Sequence, residues 1–234
     1  MSARGFYYFG ALCCVLALPY CAAQFDEPRR LPNRAPTFEK YNLQHLPWDV
    51  RPAWYMVGVW RANQPENQAP SHLLPLADEL DFGIGILPMF GARSLNYTGF
   101  IRDNQGRLVF SENGYMLVKN QTRFDPTIKT AFLTASDRGY TTLEEGEVRG
   151  NTIQYQIMNF AQRGFNIPSK YRINFFRRSF IFNGGQTLTQ SIDFEVNGVS
   201  NILTKGYHKV SGWDCAQSCR FMESRRLFHA CRLC

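Results

Sequence analysis

The sequence predicts an all-β fold, an antiparallel barrel of about eight to ten strands, on three observations. Apolar and polar residues alternate with a two-residue period, as in Ile153, Tyr155 and Ile157 against Gln154, Gln156 and Met158, the pattern of a strand with one buried face. Turn-forming clusters recur at close spacing, at Asp137-Arg138-Gly139, Arg149-Gly150-Asn151 and Asn183-Gly184-Gly185, where Gly and Asn tolerate the backbone angles of tight turns. No segment before Asp214 carries a helical period. Strands and turns at such intervals favour a closed barrel over an open sandwich.

The first 23 residues read as a signal peptide. Arg4 precedes an apolar run from Phe6 to Leu18, and Cys21-Ala22-Ala23 supplies small residues before a cleavage point at Gln24. The run is too short to span a bilayer of about 30 Å as a helix, an uncleaved anchor being the competing reading, and no later segment reaches spanning length. The expectation is a secreted, extracellular protein with no membrane span. A chain of 234 residues, 44% hydrophobic and 15% aromatic, suits one well-packed domain with terminal extensions. The division expected is a signal peptide over 1–23, an extended lead-in over 24–52, a barrel over 53–211 and a cysteine-containing tail over 212–234. The formal charge of +7 is spread over doublets such as Arg29-Arg30, Arg177-Arg178 and Arg225-Arg226 rather than concentrated in a basic tract, which argues against a nucleic-acid partner.

Residues 24–52 are rich in Pro, Arg and Asn without periodicity. Residues 54–61 give the first strand signal. Further strands are expected over 131–136, 140–144 and 153–158. Residues 171–182 and 187–196 form a hairpin, in which Leu188, Gln190, Ile192, Phe194 and Val196 share one face. The last strand is expected over 202–210.

Asn96-Tyr97-Thr98 and Asn120-Gln121-Thr122 are glycosylation sequons; Asn120, at a turn, is the better candidate than Asn96, inside a strand pattern. Cys215, Cys219, Cys231 and Cys234 fall in the last twenty residues and in an oxidising compartment read as two disulfides with three pairings open. A helix over 214–228 would put Cys215 and Cys219 on one face, favouring bonds to the second pair, while zinc held by four thiolates is the competing reading.

Ala131, Phe132, Ala135, Gly139, the run Glu144-Glu145-Gly146-Glu147-Val148, then Gly150, Ala161 and Phe165 resemble, in register, the nitrobindin family, small heme-binding β-barrels also found at the C-terminus of a THAP-type zinc-finger protein. The resemblance implies heme held by one axial His on the final strand, and isomerisation of peroxynitrite to nitrate at the iron. Two departures bear on this. The glycine-rich loop that borders the family's heme reads Ala-Asn-Gln-Pro-Glu-Asn-Gln-Ala-Pro-Ser over 62–71, and aligning Tyr207 and Lys209 with the family's pattern puts Ile202 at the axial position. Isoleucine has no lone pair for iron, so neither the ligation nor the activity carries over at that position. Elsewhere Gly58-x-Trp60 resembles the family's opening strand, where the glycine permits close approach and the tryptophan plugs one barrel end; residues 76–82 and Leu95-Asn96-Tyr97 resemble its second and third strands, with Phe90-Gly91 supporting a turn between them; and Gly106 with residues 111–115 resembles its next hairpin, with Phe110 where the family usually carries His.

The remaining histidines, His45, His72, His208 and His229, read as surface residues. Met158 and Tyr155 read as packing residues, and the carboxylates Glu144, Glu145 and Glu147 as solvated or paired with nearby Arg rather than as catalytic. No nucleophile-and-base motif is present, and no catalytic or metal-binding residue is expected. The leading functional expectation is an apolar small-molecule ligand, fatty-acid-like or a porphyrin, inside the barrel. Heme with an altered axial ligand and nitric oxide or peroxynitrite chemistry is one alternative. A barrel filled by its own aromatics, such as Phe132, Phe175, Phe176, Phe180 and Phe194, working as an extracellular interaction module, is the other.

Overall fold

The computed structural model describes residues 39–66, 74–85, 93–162, 173–184 and 186–212. The expected signal peptide, Phe90-Gly91, Phe165, His72, His229 and the four tail cysteines lie outside them. No helix among the described residues is long and apolar enough to cross a membrane.

Ten strands alternate with turns: β1 Gly58–Ala62, β2 Glu79–Ile84, β3 Ser94–Arg102, β4 Leu108–Lys119, β5 Lys129–Ser136, β6 Tyr140–Arg149, β7 Thr152–Gln162, β8 Ile173–Gly184, β9 Thr187–Val196 and β10 Val199–Gly212. Each pairs antiparallel with its sequence neighbours, and β10 returns to β1 to close the barrel. Closure removes the sheet edges wherever the two meet. The alternation read along 153–158 and 187–196 holds: Ile153 and Tyr155, and Leu188, Gln190, Ile192 and Phe194, are buried and face inward. Gly146 lies on the inner face of β6, where a Cβ would overlap the carbonyl oxygen of Gln154; only glycine lets β6 fold this tightly over β7.

Two stretches differ from expectation. The first strand signal, 54–61, divides: Trp54, Tyr55 and Met56 end a 3-10 segment and only the strand from Gly58 follows. The latter part of the expected lead-in packs as η1 Glu39–Tyr41, η2 Leu43–His45 and η3 Trp48–Met56. Asn42 caps η2 by accepting the Gln44 N–H at 3.0 Å, and η3 kinks at Ala53 beside Pro52. Tyr41, Leu43, Leu46, Val50, Ala53, Tyr55 and Met56 are buried against the near end of the barrel. Short 3-10 turns carry neither a two- nor a 3.6-residue period, so the sequence showed only a polar, proline-rich run. The Lys40 ammonium, 2.6 Å from Asp81, and the Tyr41 hydroxyl, donating to the same carboxylate at 3.0 Å, fasten this cap to β2. Trp60 sits beneath it, fully buried, its indole N–H donating to the Met56 carbonyl at 2.8 Å.

Candidate functional site

Inside the barrel, aromatics pack ring against ring in two groups, one around Phe182 and one around Phe132. Tyr55 lies on Phe182 with ring centres 5.4 Å apart, Phe82 meets Tyr97 at 5.1 Å, Tyr97 meets Phe132 at 4.9 Å, and Phe132 meets Tyr155 at 5.5 Å and Phe180 at 5.9 Å. Phe175 points the other way and is partly exposed, a correction to its place among the core aromatics, because it adjoins the inward Phe176 and successive residues of a strand face opposite sides.

Next to these aromatics is a layer of buried charge. Arg178 of β8 donates from Nε to Glu144 Oε2 at 3.1 Å and lies 3.6 Å from Glu112 Oε2, with its guanidinium over the rings of Phe132 and Phe176. Arg178, Glu112 and Glu144 are 3%, 4% and 0% exposed. Tyr97 donates to Glu112 Oε2 at 3.1 Å. A chain of short oxygen contacts then joins the two carboxyls, from Glu112 Oε1 to Thr134 Oγ1 at 2.9 Å, to Thr142 Oγ1 at 2.8 Å, to Glu144 Oε1 at 2.8 Å. The two threonine hydroxyls supply two hydrogens for three contacts, so a proton on one of the carboxyls would complete the chain. Burial pushes the Glu144 carboxyl up to about 7, against the lowering by the Arg178 charge and the Thr142 hydroxyl. With Glu144 carrying the proton, Arg178 and Glu112 balance and the layer is neutral. The Arg178 pKa is raised: burial opposes the charged guanidinium, and Glu144 and Glu112 outweigh it.

Of the acidic run expected to be solvated or paired with Arg, Glu144 is fully buried and paired with Arg178, while its neighbours are solvated or paired at the surface. Glu145 is exposed and Glu147 pairs with Arg149 at 2.6 Å. Glu144 and Arg178 stand on inward positions of strands brought together only by folding, so their pairing was not visible along the chain.

Beyond the charged layer lies a second apolar cluster of Leu74, Leu76, Tyr140, Phe176, Ile192 and Phe194. Leu74 and Leu76 come from the connection between β1 and β2, the stretch following the departed loop. Lys205, inward on β10, holds that connection by donating to the Leu76 carbonyl at 2.8 Å and to Asp78 at 2.7 Å, and the Tyr207 hydroxyl donates to the Ala77 carbonyl at 2.8 Å. Asp78 also accepts the Glu66 N–H at 2.9 Å.

Ile202 does not face the interior. It is 73% exposed on the outer surface, and the inward positions of β10 are Asn201, Leu203, Lys205, Tyr207 and Lys209. A one-residue difference in register reverses every side chain of a strand, and β10 begins at Val199 rather than at 202. Ile202 is therefore not a hydrocarbon lining a heme pocket. Asn96 is exposed in β3, and Asn120 directly follows β4. Met158 faces outward, while Tyr155 is buried with its hydroxyl 2.9 Å from Thr130 Oγ1.

Heme does not fit the donors that the described residues offer. His45 is exposed on the cap, and His208 is exposed on the outer face with Nδ1 2.9 Å from Asn63 Oδ1. Of the inward phenols, Tyr97 is engaged with Glu112, Tyr155 with Thr130 and Tyr207 with Ala77 and Gln190, whereas the buried Tyr55 hydroxyl has no hydrogen-bond partner among the described residues; burial raises the pKa of all four, away from the phenolate that would bind iron. No group of three or more metal-ligating side chains occurs among the described residues. Two recesses open instead on the outer wall. One of about 1090 Å³ runs over Lys119, Lys129, Glu145, Arg149, Gln156 and Arg177, and a smaller one of about 360 Å³ over Tyr115, Leu133 and Leu143.

Among known proteins, an uncharacterized protein of Caenorhabditis elegans, C28H8.5, is 26% identical over 152 residues, 60% of this chain and 49% of that protein, so this chain spans about half the length of that relative. The crystal structure of Rv2717c from M. tuberculosis superposes with a TM-score of 0.48 at 19% identity, covering 71% of this chain and 99% of that one. Residues 49–208 match the family described as the THAP4-like, heme-binding beta-barrel domain. That match takes in every strand but the end of β10, and the chain belongs to this family of nitrobindin-like barrels.

Proposed function

We propose that this chain is a secreted member of its family that works as an extracellular interaction module, with the barrel as a self-filled scaffold. The observation that carries the reading is the interior: inward positions of the described strands are taken by stacked aromatics and by the neutralised Glu112–Arg178–Glu144 layer, and no imidazole among them points inward. Secretion is supported by the signal-like first 23 residues, the sequons at Asn120 and Asn96, and the four tail cysteines, read as two disulfides. Titration of the purified full chain with hemin tests the function. No sharp Soret band is expected, and a stoichiometric one that disappears on substituting a single histidine or cysteine overturns the reading.

A second reading rests on the far apolar cluster. Ile157, Phe160, Ile173 and Leu203 around it are only half-buried, which favours an apolar small molecule at that end in contact with Tyr140 and Phe176. Mass spectrometry of small molecules extracted from natively purified protein decides between the two: a stoichiometric lipid supports the second reading and its absence the first.

A further inference from the structure

The connection between β4 and β5, residues 120–128, holds a tight turn that carries two side chains outward. Thr122 donates its N–H to the Asp125 carbonyl at 2.7 Å and accepts the Asp125 N–H on Oγ1 at 3.1 Å, which leaves Arg123 and Phe124 at the two apex positions. The Asp125 carboxylate accepts the Thr127 N–H at 3.1 Å and meets the Lys129 ammonium at 2.9 Å. Val148 of β6 donates its N–H to the Ile128 carbonyl at 2.9 Å. Phe124 is 94% exposed, the most exposed large hydrophobic side chain among the described residues. Bonds on both sides of the apex hold the ring out in water, where an apolar surface is costly unless something meets it.

The root of this loop carries charge that the sheet alone does not favour. Lys119 and Lys129, both exposed, face each other across β4 and β5, and like charges directly opposite on a sheet repel. Asp125 answers Lys129, and Glu147, the neighbour of Lys129 on β6, is held by Arg149 at 2.6 Å. No acid among the described residues pairs with Lys119 or Arg123. Three cations and one acid therefore lie within 119–129, behind an apolar apex. Trp48, 57% exposed, stands at the same end of the barrel, on the cap whose η3 packs against β4. A partner that neutralises the cations and also buries the ring is anionic at its surface and apolar beneath it, which describes a bilayer with acidic headgroups. A soluble anion would leave the ring in water.

We propose that the 120–128 loop is a peripheral anchor for anionic lipid surfaces, with Phe124 entering the acyl boundary and Lys119, Arg123 and Lys129 meeting acidic headgroups. The inference deepens the reading of the chain as an extracellular interaction module by naming the surface it meets. One ring and a few cations bind no more tightly than the roughly 10⁴ M⁻¹ of a single myristoyl chain, so the contact is reversible and weakens with salt. Asn120, the sequon residue, sits at the root beside Lys119 rather than at the apex, which keeps the point of glycan attachment behind the ring.

The test is co-sedimentation of the full chain, purified from a secreting host with its glycans intact, with vesicles of phosphatidylcholine alone or with about one third phosphatidylserine, beside Phe124→Ala and Lys119→Glu. Both side chains are exposed, and circular dichroism should show both variants folded. Binding is expected on the mixed vesicles only, is lost at high salt, and should weaken by at least about tenfold with each substitution. No binding to either vesicle, equal binding to both, or binding indifferent to Phe124→Ala overturns the proposal. So does competition by soluble glycerophosphoserine as strong as that of the lipid, or binding that appears only after glycosidase treatment. Adhesion to cells that needs Phe124 without any binding to vesicles would assign the apex to a protein pocket, and the proposal falls. None of these results bears on the filled interior, which the hemin titration tests separately.

Discussion

The two ends of the barrel are closed by different physics. At the capped end, Val50, Ala53, Met56, Val57 and Trp60 are all fully buried, and the cap is held mainly by apolar area removed from water. At the far end, Leu74 and Leu76 are seated by Lys205 and Asp78 next to the Glu112–Arg178–Glu144 layer. Apolar closure is insensitive to pH and salt, whereas closure through buried charge depends on protonation and on every partner being present. The cap itself is fastened by the half-exposed Lys40–Asp81 pair, and the chain places its most deeply buried ion pairs toward the other end.

The largest expected effect breaks that contrast directly. Arg178→Met leaves Glu112 and Glu144 without their cation and should cost about 3–5 kcal/mol in urea unfolding. Trp60→Ala at the capped end should cost about 3–5 kcal/mol by the cavity it leaves, but with no change in pH dependence. Similar pH profiles for the two variants would dissolve the distinction.

The next effect is the pH dependence itself. Glu144 is raised from 4.5 to about 7 by burial first. A carboxyl with a raised folded pKa keeps its proton longer in the folded chain, so its contribution is fully present below 4.5 and is lost as pH rises through about 7. The loss is at most on the order of 3 kcal/mol. Glu144→Gln supplies an amide N–H toward Thr142 and an oxygen toward Arg178, copying the protonated acid, and should flatten this part of the stability profile. An unchanged slope in that variant would place the proton elsewhere.

The smallest effect concerns the seat at the far end. Asp78→Ala removes the acceptor of Lys205 and of the Glu66 N–H and should cost about 1–3 kcal/mol. Hydrogen exchange should quicken around residues 74–80 and stay slow in the cap; equal quickening in both would mean the two ends unfold as one unit.

Much of the barrel was legible along the chain because strand alternation is local. The inward face Leu188, Gln190, Ile192 and Phe194 needed only the two-residue period. The direction of Ile202 was not reached, although a signal existed: Asn197-Gly198 is a strong two-residue hairpin turn, and counting from it fixes the register of β10 and turns Ile202 outward. Reading the last strand from 202 lost that count. The packed cap was missed for a different reason, since Val50, Ala53 and Met56 follow no period that a sequence window detects.

By itself the sequence determined strands, turns and the family likeness, because each rests on neighbours within a few residues. Only the tertiary structure decided which carboxylate of the acidic run is buried. Glu144 differs from Glu145 by one step along β6, and its partners Arg178 and Glu112 come from β8 and β4. Burial of charge is settled by what closure of the sheet brings to the inner face, and sequence spacing does not encode that meeting.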